Sequence, residues 1–133
     1  MSSVVIDASI AGALLLDEEL TTTVLATQEI IRLGVGIVPV LFQYEVANLI
    51  KTCSVKWTDK QTRVVFDMLE SWPIQVDHST PKMHKLCQIA LECSLSVYDA
   101  VYLELAHRQD LPLATLDRAL AKAAKNYGVK LLK

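Results

Sequence analysis

Apolar residues along the chain come in two patterns: short unbroken runs, which mark buried strands, and stretches recurring every three or four positions, which mark helices packed on one face. Val4-Val5-Ile6 is a run of the first kind, and it is followed by helical patterns from Ile10 to Leu16 and from Thr22 to Leu33. Gly34 and Gly36 punctuate a second run, Ile37 to Val40, after which Phe42, Val46, Leu49, Ile50 and Cys53 recur at helical spacing. Thr58 to Leu69 suits another helix, and Pro73 introduces a strand-like segment, Ile74 to Val76, at an edge compatible with the proline. Pro81 opens a helix reaching Cys93, and Val97 to Ala106 is apolar nearly all round, as a buried helix should be. Leu113-Ala114-Thr115 reads as a strand after the Asp110-Leu111-Pro112 turn. Ala119 to Lys125 is rich in helix formers, Gly128 is placed to stop that helix, and Val129 to Leu132 can add a last strand.

Strands alternating with helices predict an α/β domain with a central, mostly parallel sheet of about five strands, flanked by helices on both faces through right-handed crossovers. The 133 residues suffice for one hydrophobic core, so a single domain over residues 1–133 is expected, without repeat or linker. In such sheets ligands bind outside the carboxyl ends of the strands. Asp7 directly follows the first strand, and Asp117 follows the Leu113-Ala114-Thr115 strand with one residue between. Connecting helices run antiparallel to the strands, so their N-termini share that edge, and Glu45 and Asp99 each fall near a helix start. Four acids are therefore expected to converge.

Glu45 lies three residues from Phe42 and four from Leu49, on the stripe that should face the interior; Asp99 precedes Leu103 by four in a helix with little polar surface. Acids in such places need a partner or a task. A purely structural Glu45 would need a buried Arg or Lys, whereas Asp7, Ser9 and Asp117 could serve as helix N-caps and Ser96 with Asp99 resembles a capping box. Two carboxylates about 4 Å apart repel by roughly 4 kcal/mol at an effective dielectric near 20. Relief comes from protonation or from a hard divalent cation, and an all-oxygen donor set suits Mg²⁺ or Mn²⁺ rather than zinc.

Composition narrows this further. The chain is 52% hydrophobic and its mean hydropathy is +0.32, which favours apolar surface covered by a partner or a second copy. No apolar run approaches the roughly 18 residues of a membrane span, and Asp7 interrupts the N-terminal run, so a cytoplasmic protein is expected. Cys53, Cys87 and Cys93 form no C-x-x-C pair and are expected to be buried and reduced. A net charge of −2 excludes a broad basic grip on nucleic acid; a bound cation would reverse the local sign and let an acidic site accept a phosphodiester. His78, His84 and His107 lack ligand spacing and should lie at the surface or core edge. Asp17, Glu18 and Glu19 read as a solvated turn, Lys51, Lys56, Lys60 and Arg63 as solvated helix surface, and Trp57, Trp72, Tyr98 and Tyr102 as packing residues.

The pieces Val4-Val5-Ile6-Asp7-Ala8-Ser9, Glu45-Val46-Ala47-Asn48-Leu49, Ser96-Val97-Tyr98-Asp99-Ala100 and Ala114-Thr115-Leu116-Asp117, with Gly128 near the end, stand in an order and spacing that resembles the PIN-domain family, and specifically its VapC-type toxins. The resemblance implies an endoribonuclease of a toxin–antitoxin pair, using Mg²⁺ or Mn²⁺ held by Asp7, Glu45, Asp99 and Asp117, with Ser9 and Thr115 as supporting hydrogen-bonding groups. A metal-activated water would cleave RNA. The resemblance also implies a homodimer and inhibition by a cognate antitoxin, and it offers no motif between Val55 and Lys82. A haloacid-dehalogenase-like phosphatase would need a second acid where Ser9 stands, and a receiver domain an acidic pair where Asp7 stands alone. The remaining alternative is a catalytically silent PIN-like binding or regulatory module, which the four acids oppose.

Overall fold

The computed structural model describes residues 2–16 and 21–132. Strand β1 (Ser3–Ile6) is followed by helices α1 (Ala8–Leu15) and α2 (Thr22–Leu33), strand β2 (Val35–Pro39), and helices α3 (Val40–Ser54) and α4 (Asp59–Ser71). Strand β3 (Ile74–Asp77), helices α5 (Met83–Cys93) and α6 (Val97–Gln109), strand β4 (Leu113–Ala114) and helix α7 (Arg118–Asn126) complete it. Asp17, Glu18 and Glu19, expected as a turn, lie outside the described residues.

All strand pairs are parallel, in the order β3-β2-β1-β4. The chain steps outward from β1 to β3 and then returns past β1 to lay β4 on its other side. The connections therefore diverge between β1 and β4, and the crevice at a switch of this kind opens at the strands' carboxyl ends. Successive strand residues point to opposite faces, yet Val4, Val5 and Ile6 are all fully buried, so helices cover both sides of the sheet centre. Tyr102, Leu103, Leu105 and Ala106 of α6 join the same core, which explains why that segment is apolar nearly all round. Among the described residues no single helix is long and apolar enough to cross a membrane.

Three details differ from the sequence reading. The sheet has four strands among the described residues, because the segment after Gly128 contributes only one parallel bridge, Leu131 with Leu113. Strand β2 begins at Val35 and yields to helix at Val40, with Pro39 in extended conformation as the helix cap. Gly36 therefore lies inside the strand rather than before it; a Cβ there would stand 2.6 Å from the Ile6 Cδ1, so any larger residue would have to displace the end of that core side chain. Gly128 follows α7 with φ +77°, a backbone state that favours glycine. The cysteines are free but not core fillers: Cys53 and Cys93 are half-buried and Cys87 is exposed.

Candidate active site

Asp7 is the first residue beyond β1 and the N-cap of α1. Its Oδ1 accepts hydrogen bonds from the Ser9 hydroxyl at 2.5 Å and the Ile10 N–H at 3.3 Å, and its Oδ2 accepts from the Thr115 hydroxyl at 2.5 Å. Only 5% of the residue is exposed. The same hydroxyls join the two loops of the crevice, since Ser9 Oγ accepts from Leu116 N–H and Thr115 Oγ1 from Asp117 N–H, each at 3.0 Å. One carboxylate, one serine and one threonine thus fix the exits of β1 and β4 to each other.

The other three acids arrive on helix starts. Asp117 is the N-cap of α7, its Oδ1 accepting from Leu120 N–H at 3.0 Å. Asp99 stands in the first turn of α6, where its N–H donates to the N-cap Ser96 hydroxyl at 3.1 Å. Glu45 lies in the second turn of α3 and is half-buried; its Oε1 accepts from the Tyr102 hydroxyl of α6 at 2.5 Å. Asp7 and Asp117 cap their helices as foreseen, while Ser9 donates to Asp7 instead of capping, and of the foreseen Ser96–Asp99 capping box the bond from Asp99 N–H to the Ser96 hydroxyl is present.

Electrostatics links the four. Burial pushes the Asp7 carboxyl above the usual carboxylate range, the Ser9, Thr115 and Ile10 hydrogen bonds oppose the shift, and the Asp117 charge adds to it. Asp99 is likewise raised, first by burial, then by Asp117, with Glu45 adding to the effect against the opposing Ser96 hydrogen bond. Tyr102 is raised by burial, by its bond to Glu45, and by the charges of Glu45, Asp7 and Asp99. Every candidate acid therefore lies in the field of at least one other. Among the described residues, no Lys or Arg forms an ion pair with any of them, and no three His, Cys, Asp or Glu side chains are already gathered as a ligand cage. Glu45 Oε2 and Asp117 Oδ2 accept no hydrogen bond from the described residues and remain open to solvent. The donor set is all oxygen, negatively charged and only partly spent, which fits a hard divalent cation.

Three features escaped the sequence reading. Tyr102 was expected only to pack, yet its hydroxyl is the partner of Glu45; its position one helical turn after Asp99 was the available signal. Tyr98 was also expected to pack, but it is 63% exposed, because the first turn of α6 precedes the helix's entry into the core. Glu104, 3% exposed, accepts from Arg108 Nε at 2.6 Å, and Arg108 Nη1 reaches Asp77 at the end of β3 at 3.0 Å. This is an ion-pair network apart from the four acids, and no spacing in the sequence announced it. His78, His84 and His107 are exposed, Trp57 and Trp72 pack partly buried against the core, and Lys51, Lys56, Lys60 and Arg63 are surface residues.

Residues 4–126 match the family profile of the PIN domain, and the chain belongs to that family, in general one of metal-dependent nucleases. Several solved structures share the fold, two of them as follows. One is PAE2754 from Pyrobaculum aerophilum, 24% identical with a TM-score of 0.64, the match covering 91% of this chain and 84% of that one. The other is FitAcB from Neisseria gonorrhoeae, 18% identical with a TM-score of 0.65, covering 98% and 96%. No curated protein matches the chain.

Proposed function

We propose that this protein is a metal-dependent endoribonuclease, the VapC-type toxin component of a type II toxin–antitoxin system, with Asp7, Glu45, Asp99 and Asp117 as its catalytic, metal-binding carboxylates. The observation that carries the reading is the chain of repulsions from Asp7 to Asp117, Asp117 to Asp99 and Asp99 to Glu45, with no Lys or Arg ion-paired to any of the four among the described residues. The fold alone could have been stabilised with fewer charges there, since burial of uncompensated carboxylates costs free energy. Bound Mg²⁺ or Mn²⁺ supplies Lewis acidity, a reversed local charge and water activation. Ser9 and Thr115 orient Asp7 by donating to one oxygen each, and the N-terminal turns of α6 and α7 present Asp99 and Asp117 to the same crevice.

The proposal extends to a cytoplasmic protein held in check by a cognate antitoxin. An apolar groove of about 920 Å³ between the ends of α1 and α3 and the start of α4, lined by Leu15, Val55, Trp57 and Val64 with Lys56 and Lys60 beside them, supports a protein partner. Met83, Cys87 and Leu91 recur every fourth residue on the exposed side of α5 and support a homodimer.

Incubation of a mixed structured RNA pool with wild type, Asp7→Asn and Asp99→Asn, in Mg²⁺, Mn²⁺ or EDTA, tests the activity. Cutting should require metal and should fall by at least about 100-fold in both variants. Equal background in every lane would favour the silent binding module instead.

A further inference from the structure

Each acid of the site has its own means of being held. Asp7 is gripped by Ser9 and Thr115, Asp117 by Leu120 N–H, and Asp99 by its place in the first turn beside Ser96. Glu45 differs, being a longer side chain with three torsions on a helix that supplies it no side-chain partner of its own. The bond it does make comes from 57 residues away in the chain, from the Tyr102 hydroxyl. The Tyr102 ring is 1% exposed, so packing on all sides fixes where that hydroxyl stands. Tyr102 follows Asp99 by three residues, which sets both side chains on one face of α6, and its hydroxyl feels the charges of Glu45, Asp7 and Asp99 together.

We infer that Tyr102 is a positioning residue of the metal site: its buried hydroxyl pins Glu45 Oε1 and leaves Oε2 as the oxygen available to the cation. A phenylalanine would fill the same core space, and only the hydroxyl distinguishes tyrosine there. The Tyr102 hydroxyl donates and the Glu45 carboxylate accepts, and the donor is held in place by the buried ring. Groups that orient a metal ligand in this way typically change metal affinity by about 10- to 100-fold when removed. The inference rests on the metal-site reading proposed above.

The test is calorimetric titration of Mn²⁺ into the metal-free full chain of wild type, Tyr102→Phe, Glu45→Ala and the double variant, with thermal unfolding of each metal-free protein. Tyr102→Phe is expected to weaken Mn²⁺ binding about 10- to 100-fold and to have no further effect once Glu45 is alanine. Glu45→Asp, which leaves the core untouched but withdraws the carboxylate by one methylene, should weaken binding to a similar degree. Unchanged or tighter binding in Tyr102→Phe or in Glu45→Asp, or an equal loss in the Glu45→Ala background, would overturn the inference while leaving the metal site standing. Absence of Mn²⁺ binding by the wild type would remove the metal-site reading and this inference with it.

Discussion

At the residue scale, the site depends on hydroxyls whose bonds are shared between loops. Thr115 donates to Asp7 and accepts from Asp117 N–H, so Thr115→Val, nearly isosteric, strands a buried acceptor and a donor at once. A loss of about 1–3 kcal/mol in urea denaturation is expected; no loss would show that the Asp7 bonds are incidental. Asp7 and Asp99 both titrate above the ordinary value of 3.8. Groups raised on folding contribute stability that is fully present below that value and is lost as pH rises through their folded values. The metal-free protein should therefore lose stability as pH rises above 3.8 and through the raised values of these two acids, and Asp99→Asn should lose less. Denaturation in EDTA across a pH series measures this, and identical losses in the two proteins would contradict it. Glu45 and Asp99 were legible as charges on apolar helix faces, and Asp7 and Asp117 as acids just beyond strands. For Tyr102 the one signal was its position a helical turn after Asp99, and it did not suffice, because a tyrosine in an apolar helix looks the same in sequence whether its hydroxyl meets water, backbone or a carboxylate.

At the element scale, helix starts deliver the chemistry, and their caps can be separated from their function. Ser96 caps α6 and Thr58 caps α4 with a full capping box, and either change to alanine should cost about 1 kcal/mol. Ser96→Ala loosens the turn that carries Asp99 and should also lower RNA cleavage, while Thr58→Ala, on a helix that supplies none of the four acids, should not. Equal cleavage by the two variants would show that the α6 cap has no part in the site. Every strand and helix was foreseen from periodicity, with shifted boundaries where two signals met. Pro39 and Val40 belong to one apolar run, yet Pro39 ends β2 and Val40 begins α3. Gly36 was read as punctuation because a glycine packed against the end of the Ile6 side chain inside a strand cannot be told by sequence from a glycine in a turn.

At the scale of the whole molecule, the switch between β1 and β4 makes one edge of the sheet the place where the exits of these strands meet the starts of α3, α6 and α7. That convergence was legible because it follows from strand-helix alternation, whereas the Asp77–Arg108–Glu104 network depends on how α6 lies across the sheet and was not. The apolar stripe of α5, with Met83 88% and Leu91 77% exposed, belongs to this scale as well. Sedimentation at micromolar concentration should give twice the 14.8 kDa of one chain, and Leu91→Arg should give a monomer; a monomeric wild type would contradict the dimer. The central claim is that the four acids form a divalent cation site, and the most direct measurement is the anomalous density of a crystal grown with Mn²⁺. The account predicts a peak at the carboxyl edge between β1 and β4, with carboxylate oxygens of Asp7, Glu45, Asp99 or Asp117 about 2.1 Å away or one water removed. A fully loaded crystal with no peak there, or with its peak at Asp77 or Glu104, would contradict it.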